Sequence, residues 1–121
     1  MNIFYSDQCP VKCATNLDSK RVVKMVLESC QILMTSLNYY GVSTPYKATH
    51  KNHPCCIWAR QSSENFEWLI KHFIALLSEY KYRYGKTHAC FQYVNFIITH
   101  KHVIPTGKLT EHKNCTKYKE V

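Results

Sequence analysis

Between Phe66 and Tyr84 apolar residues recur every three or four positions: Phe66, Leu69, Ile70, Phe73, Leu77, Tyr80 and Tyr84. That spacing gathers them on one face of an α-helix and would scatter them over both faces of a strand. Ser62 or Ser63 stands where an N-cap belongs, and Glu64 suits the positive end of the helix dipole. Gly85 supplies the stop. A lone helix cannot bury such a stripe, so a second must cover it. The match lies upstream, where Val22, Val23, Val26, Leu27, Cys30, Leu33 and Leu37 keep the same spacing. Asp18 opens that helix as N-cap and Gly41 halts it. The long loop between the two helices lets them pack against each other.

Shorter elements fill in around this pair. Pro10 opens a helix ending near Asn16, and Pro54 opens another running through Trp58 and Arg60. Beyond Thr87, Phe91, Val94, Ile97 and Ile98 form a helical face. The run Ile97-Ile98-Thr99 also admits a strand, but no comparable partner strand exists elsewhere, so helix is favoured. The expectation is an all-α, compact single-domain bundle of about four to five helices. It spans residues 1–121, with 104–121 a basic, irregular tail carrying Lys108, Lys113, Lys117 and Lys119. Such a tail is a place for mobility.

No window approaches the roughly 18 apolar residues of a membrane span, and Met1-Asn2-Ile3-Phe4-Tyr5 has no secretory pattern. The seven cysteines are odd in number and irregularly spaced. They fit reduced thiols in a cytoplasmic protein better than a disulfide framework.

A formal charge of +8, from sixteen Lys and Arg against eight Asp and Glu, suits an anionic partner, nucleic acid being the commonest. Solubility alone is the bland alternative. The loop is basic because it carries no acid. Between Asn38 and Ser63 there are three cations (Lys47, Lys51 and Arg60), with His50 and His53. Tyr46, Lys47, His50, Lys51, Asn52, His53 and Arg60 offer phosphate donors and partners for a base edge, while Trp58 offers a stacking face. Core burial of Trp58 and a capping role for His53 are the structural alternatives. On the first long helix Lys24, Glu28, Gln31 and Thr35 follow one another at four, three and four residues. By spacing alone this is a solvated stripe. His50, His53, Cys55 and Cys56 lack the paired spacing of a zinc site, so neither a metal nor another cofactor is expected.

Three segments are familiar in combination: KRVVKMVLESCQIL (20–33), YKATHKNHPCCIWARQSSENFEWL (46–69) and EYKYRYGKTH (79–88). They resemble a family of small tailed-phage proteins over most of the chain, with Arg21 where that family usually has His. More distantly, the order of motifs is similar to that of the pyrimidine-dimer DNA glycosylases of the endonuclease V type. The shared features are a short apolar start, a helix with a mid-helix Glu, a Tyr-Lys…Asn-His-Pro loop and a long helix ending in aromatics and glycine. The resemblance implies a compact all-α fold and places Glu28 in an active site. It puts Asn52-His53-Pro54 nearby, with cations on the DNA backbone. In that family the attacking group is the α-amine exposed by removal of Met1. Asn2 is large and disfavours that removal, so the amine is expected to be absent, to be that of Met1, or to be a lysine such as Lys24. A lysine would need burial to lower its pKa.

The implied function is a phage DNA-binding or DNA-processing protein acting on damaged or modified DNA. Glu28 and Lys24 would be catalytic, and Gln31, Tyr46, Lys47, His50, Lys51, Asn52, His53, Trp58 and Arg60 would bind. The alternative is a non-catalytic viral binder that sequesters a nucleotide or cyclic-nucleotide signal, or blocks a host nucleic-acid enzyme. Self-association stays open.

Overall fold

The computed structural model describes residues 3–111. Five α-helices and two short 3-10 helices make up the fold, with no strand among the described residues. In chain order they are α1 (Pro10–Thr15), α2 (Ser19–Tyr39), α3 (Pro54–Gln61), α4 (Ser63–Tyr84), a 3-10 helix (Ala89–Tyr93), α5 (Val94–His100) and a last 3-10 turn (Lys101–Val103). The all-α bundle expected from periodicity is the observed one. No helix among the described residues is long and apolar enough to cross a membrane.

The helix ends follow local chemistry. Asp18 accepts the Arg21 N–H at 2.9 Å, and Ser62 accepts that of Asn65 at 3.2 Å. Gly85 closes α4 in the left-handed region at φ 72°. Each cap satisfies a backbone group that the first or last helical turn leaves orphaned.

α4 is the central strut, packing along α1, α2 and α3. Phe66, Leu69, Ile70, Phe73 and Leu77 are buried as the periodicity requires. Each such side chain contributes roughly 1.5–3 kcal/mol on leaving water. Tyr84 instead lies at the rim and donates its hydroxyl to Ser19 O at 3.0 Å. Trp68 and His72, outside the expected stripe, are also buried, because α1 crosses that side. Trp68 Nε1–H donates to Gln8 O, and His72 Nδ1–H to Pro10 O, both at 2.9 Å. Arg83 fastens the α1–α2 connection through Leu17 O (2.7 Å) and Thr15 O (3.2 Å). Glu79 holds its guanidinium at 2.9 Å.

The strand alternative for Ile97-Ile98-Thr99 gives way to α5, which packs on α2 and α4 with Ile97 buried. Residues 105–111 form no helix or strand, and through Thr110 they are laced to the start of α4. Ser63 N–H donates to Pro105 O at 2.8 Å, Glu64 N–H to Gly107 O at 3.2 Å, and Thr110 N–H to Asn65 Oδ1 at 2.9 Å. Lys113, Lys117 and Lys119 lie outside the described residues. Close approach makes Gly107 necessary: a Cβ there would sit 2.8 Å from Ser62 Cβ, and Ser62 is fixed as the α4 cap. Gly107→Ala is expected to cost about 1–3 kcal/mol, read as a lower urea midpoint at unchanged m.

Candidate functional site

α2 does more than cover α4. Its buried residues include Met25, Ser29, Ile32, Met34, Thr35 and Ser36 besides the expected stripe, because α3, α4 and α5 enclose it from several sides. Val23 and Leu27, assigned to the core by spacing, are instead 40% and 39% exposed. Together with Lys24, Glu28 and Gln31 they form one wall of a cleft of about 1000 Å³. Tyr46, Lys47, Ala48, Thr49 and His50 form the facing wall, and His88 closes one side.

Thr35, the last member of the polar stripe, holds the two walls together. It is buried, and its Oγ1 accepts the Thr49 N–H at 3.1 Å while donating to Thr49 O at 3.3 Å. Thr35→Val keeps the shape and removes both bonds, leaving the Thr49 amide without its partner. A loss of about 1–3 kcal/mol is expected in urea unfolding. Ligand affinity at the cleft should fall with it.

The loop wall carries backbone strain at His50, the one non-glycine residue with positive φ (54°) among the described residues. Such a conformation is uncommon for a residue with a Cβ and collects at functional positions. Two bonds hold it: His50 O accepts the His53 N–H at 2.9 Å, and His50 Nδ1 pairs with Thr49 Oγ1 at 2.8 Å.

Below the cleft Tyr46 stacks at a tilt on Tyr93, ring centres 5.0 Å apart, and its hydroxyl lies 3.7 Å from Cys90 Sγ. Cys30 and Cys90 are both buried, and their thiols influence each other's ionisation. Bonds from Cys30 and Tyr46 favour the Cys90 thiolate against the opposing effect of burial and bring its pKa down to about 7. The same contacts, followed by desolvation, push Cys30 and Tyr46 above their ordinary ranges. Cys90 is therefore the first of the three to lose a proton. Cys56, fully buried on α3, is pushed up to about 11 by desolvation, the opposite of what a nucleophile needs.

Six sequence-predicted residues meet in the cleft: Lys24, Glu28, Gln31, Tyr46, Lys47 and His50. Five do not. Trp58 is buried and donates its Nε1–H to Thr110 O at 3.3 Å, which is core packing. His53 is the α3 N-cap, its Nδ1 accepting the Cys55 N–H at 3.1 Å. Lys51 and Asn52 occupy the exposed turn before that cap. Arg60 does not line the cleft; its guanidinium is bonded to Lys51 O and lies 4.0 Å over the Tyr39 ring. Lys24 is exposed, so the burial required of a lysine nucleophile is absent there.

His88 was missed. Its signal is present twice in the sequence as His-x-Cys, at 53–55 and 88–90, and in both cases the ring nitrogen caps a helix start. Among the described residues no three His, Cys, Asp or Glu side chains gather as a metal site would require.

No curated protein and no solved structure matches the chain. A family model does: that of the pyrimidine dimer DNA glycosylases, over residues 1–92. The matched span contains both long helices, the loop and every residue of the cleft. By that match the chain belongs to the pyrimidine dimer DNA glycosylase family.

Proposed function

We propose that the protein recognises damaged pyrimidines in duplex DNA through the cleft between α2 and residues 46–50, with Glu28 at the reacting sugar. One observation carries the reading: the carboxylate of Glu28 shares a cleft with Lys24, Lys47 and His50 inside the segment that matches the family. Cations there attract phosphates and concentrate DNA at the site. Gln31 and Tyr46 offer a hydrogen-bonding amide and an aromatic face to a base. Lys51 and Arg60 extend the basic surface beyond the cleft.

A glycosylase step at such a site builds positive charge on the deoxyribose as the base departs. The Glu28 carboxylate stabilises that charge. If an amine attacks, its N–C1′ bond forms while the glycosidic bond breaks. The base departs from C1′ with the bonding pair and takes up a proton while staying joined to its dimer neighbour, and the opened sugar becomes an imine that borohydride reduces. Of the two lysine amines lining the cleft, Lys24 stands one turn from Glu28 and Lys47 on the facing wall. Lys24 is exposed, so its attack requires desolvation by the bound duplex.

Borohydride trapping on a duplex carrying one cyclobutane thymine dimer tests this. A covalent adduct that disappears in Lys24→Ala assigns the amine to Lys24, and an adduct that persists places it elsewhere. No adduct together with no glycosidic cleavage, read as alkali-labile strand breaks, removes the enzymatic step and leaves binding.

A second reading draws on the size of the cleft, which lies at the upper end of small-molecule sites. A phage protein that sequesters a nucleotide or cyclic dinucleotide would use the same walls. Thermal stabilisation by free nucleotides but not by the lesion duplex would favour it.

A further inference from the structure

His88 brings to the cleft a chemistry that neither the cations nor Glu28 supplies. It stands at the start of the 3-10 helix, where its Nδ1 accepts the Cys90 N–H at 3.0 Å. That nitrogen therefore holds a lone pair, and in the neutral ring the proton sits on Nε2. Nε2 has no hydrogen-bond partner among the described residues. The ring is half-buried, its Tyr80 neighbour stands edge-on with centres 4.9 Å apart, and desolvation lowers its pKa below the ordinary histidine value. It borders both the large cleft and a second cavity of about 500 Å³ behind it.

The cleft thus presents cationic donors and uncharged ones, the Gln31 amide being among the latter. Lys24 and Lys47 offer cationic N–H groups, which pair best with phosphate oxygens. His88 offers a single uncharged N–H fixed by a backbone bond. A donor of that kind suits an uncharged acceptor, and a pyrimidine base, intact or dimerised across its 5,6 bond, carries carbonyl oxygens.

We propose that His88 Nε2–H donates to a carbonyl oxygen of the damaged pyrimidine, making His88 a specificity-determining residue of the cleft. The assignment rests on the lesion-binding reading above.

Two substitutions separate recognition from capping. His88→Asn keeps a good N-cap oxygen for the Cys90 N–H but has no atom at the Nε2 position. His88→Gln carries an amide N–H out to about that position and weakens the cap. Fluorescence anisotropy is measured on two duplexes, one with a single cyclobutane thymine dimer and one with a tetrahydrofuran abasic analogue. His88→Asn is expected to keep the wild-type melting temperature, to bind the dimer duplex about tenfold more weakly, and to bind the abasic duplex unchanged. His88→Gln should recover most of the dimer affinity despite its poorer cap. Equal loss on both duplexes, or loss on neither, overturns the assignment to His88. A wild-type protein that does not prefer the dimer duplex to undamaged DNA overturns the lesion-binding reading itself, and the role of His88 with it.

Discussion

Glu28→Gln is expected to leave a folded protein that still binds the dimer duplex while cleavage of the glycosidic bond, read as alkali-labile strand breaks, falls by at least about a hundredfold. Gln has nearly the shape of Glu and keeps its hydrogen-bonding oxygen, so the half-buried position on α2 stays filled. What disappears is the negative charge beside a sugar that becomes cationic. Removing an anion from a cleft that receives a polyanion does not weaken binding, and affinity at low salt should hold or rise. Parallel loss of affinity and melting temperature would make Glu28 a structural residue and not a reacting one. Measuring glycosidic cleavage under single-turnover conditions alongside anisotropy keeps the chemical step apart from binding.

Asn65→Ala is expected to cost about 2–4 kcal/mol in urea unfolding, the largest stability effect of a single polar residue here. Asn65 is fully buried and bridges three segments. Its Nδ2–H₂ donates to Trp58 O at 2.9 Å and to Thr110 Oγ1 at 2.8 Å, and its Oδ1 accepts the Thr110 N–H at 2.9 Å. Alanine leaves the Trp58 carbonyl without this donor and removes both bonds by which Asn65 holds Thr110 to α4. A loss under about 1 kcal/mol would contradict the docking of residues 105–111. The cleft lies on other elements, so affinity for the lesion duplex should survive wherever the variant remains folded.

These two residues mark what the chain spells out locally and what it does not. α2 and α4 were legible because periodicity, caps and stops all lie within a few residues of one another. Asn65 was hidden in the same helix: its partners arrive from Trp58 and from Thr110, 45 positions later, and nothing near it announces them. The cleft was half legible for the same reason. The stripe Lys24–Glu28–Gln31 and the basic loop could be named, but spacing alone left the stripe as solvated surface. Thr35, buried against Thr49, brings the two together. Composition also misled within the loop. His53, Trp58 and Arg60 look like ligand contacts, yet a cap, a core ring and a cation over Tyr39 use the same side chains for structure. Val23 and Leu27 show the converse. Their apolar character fits the core pattern, but the facing wall stands off and leaves them to line a cleft.

The central claim is that damaged duplex DNA binds in the cleft walled by α2 and the loop. Following amide resonances by NMR while titrating a duplex with one cyclobutane thymine dimer tests it most directly. The largest shifts are predicted at Lys24, Glu28, Gln31, Lys47, His50 and His88, with much smaller ones when undamaged duplex is added. Shifts centred on Tyr39, Lys51 and Arg60, or equal responses to both duplexes, would contradict it.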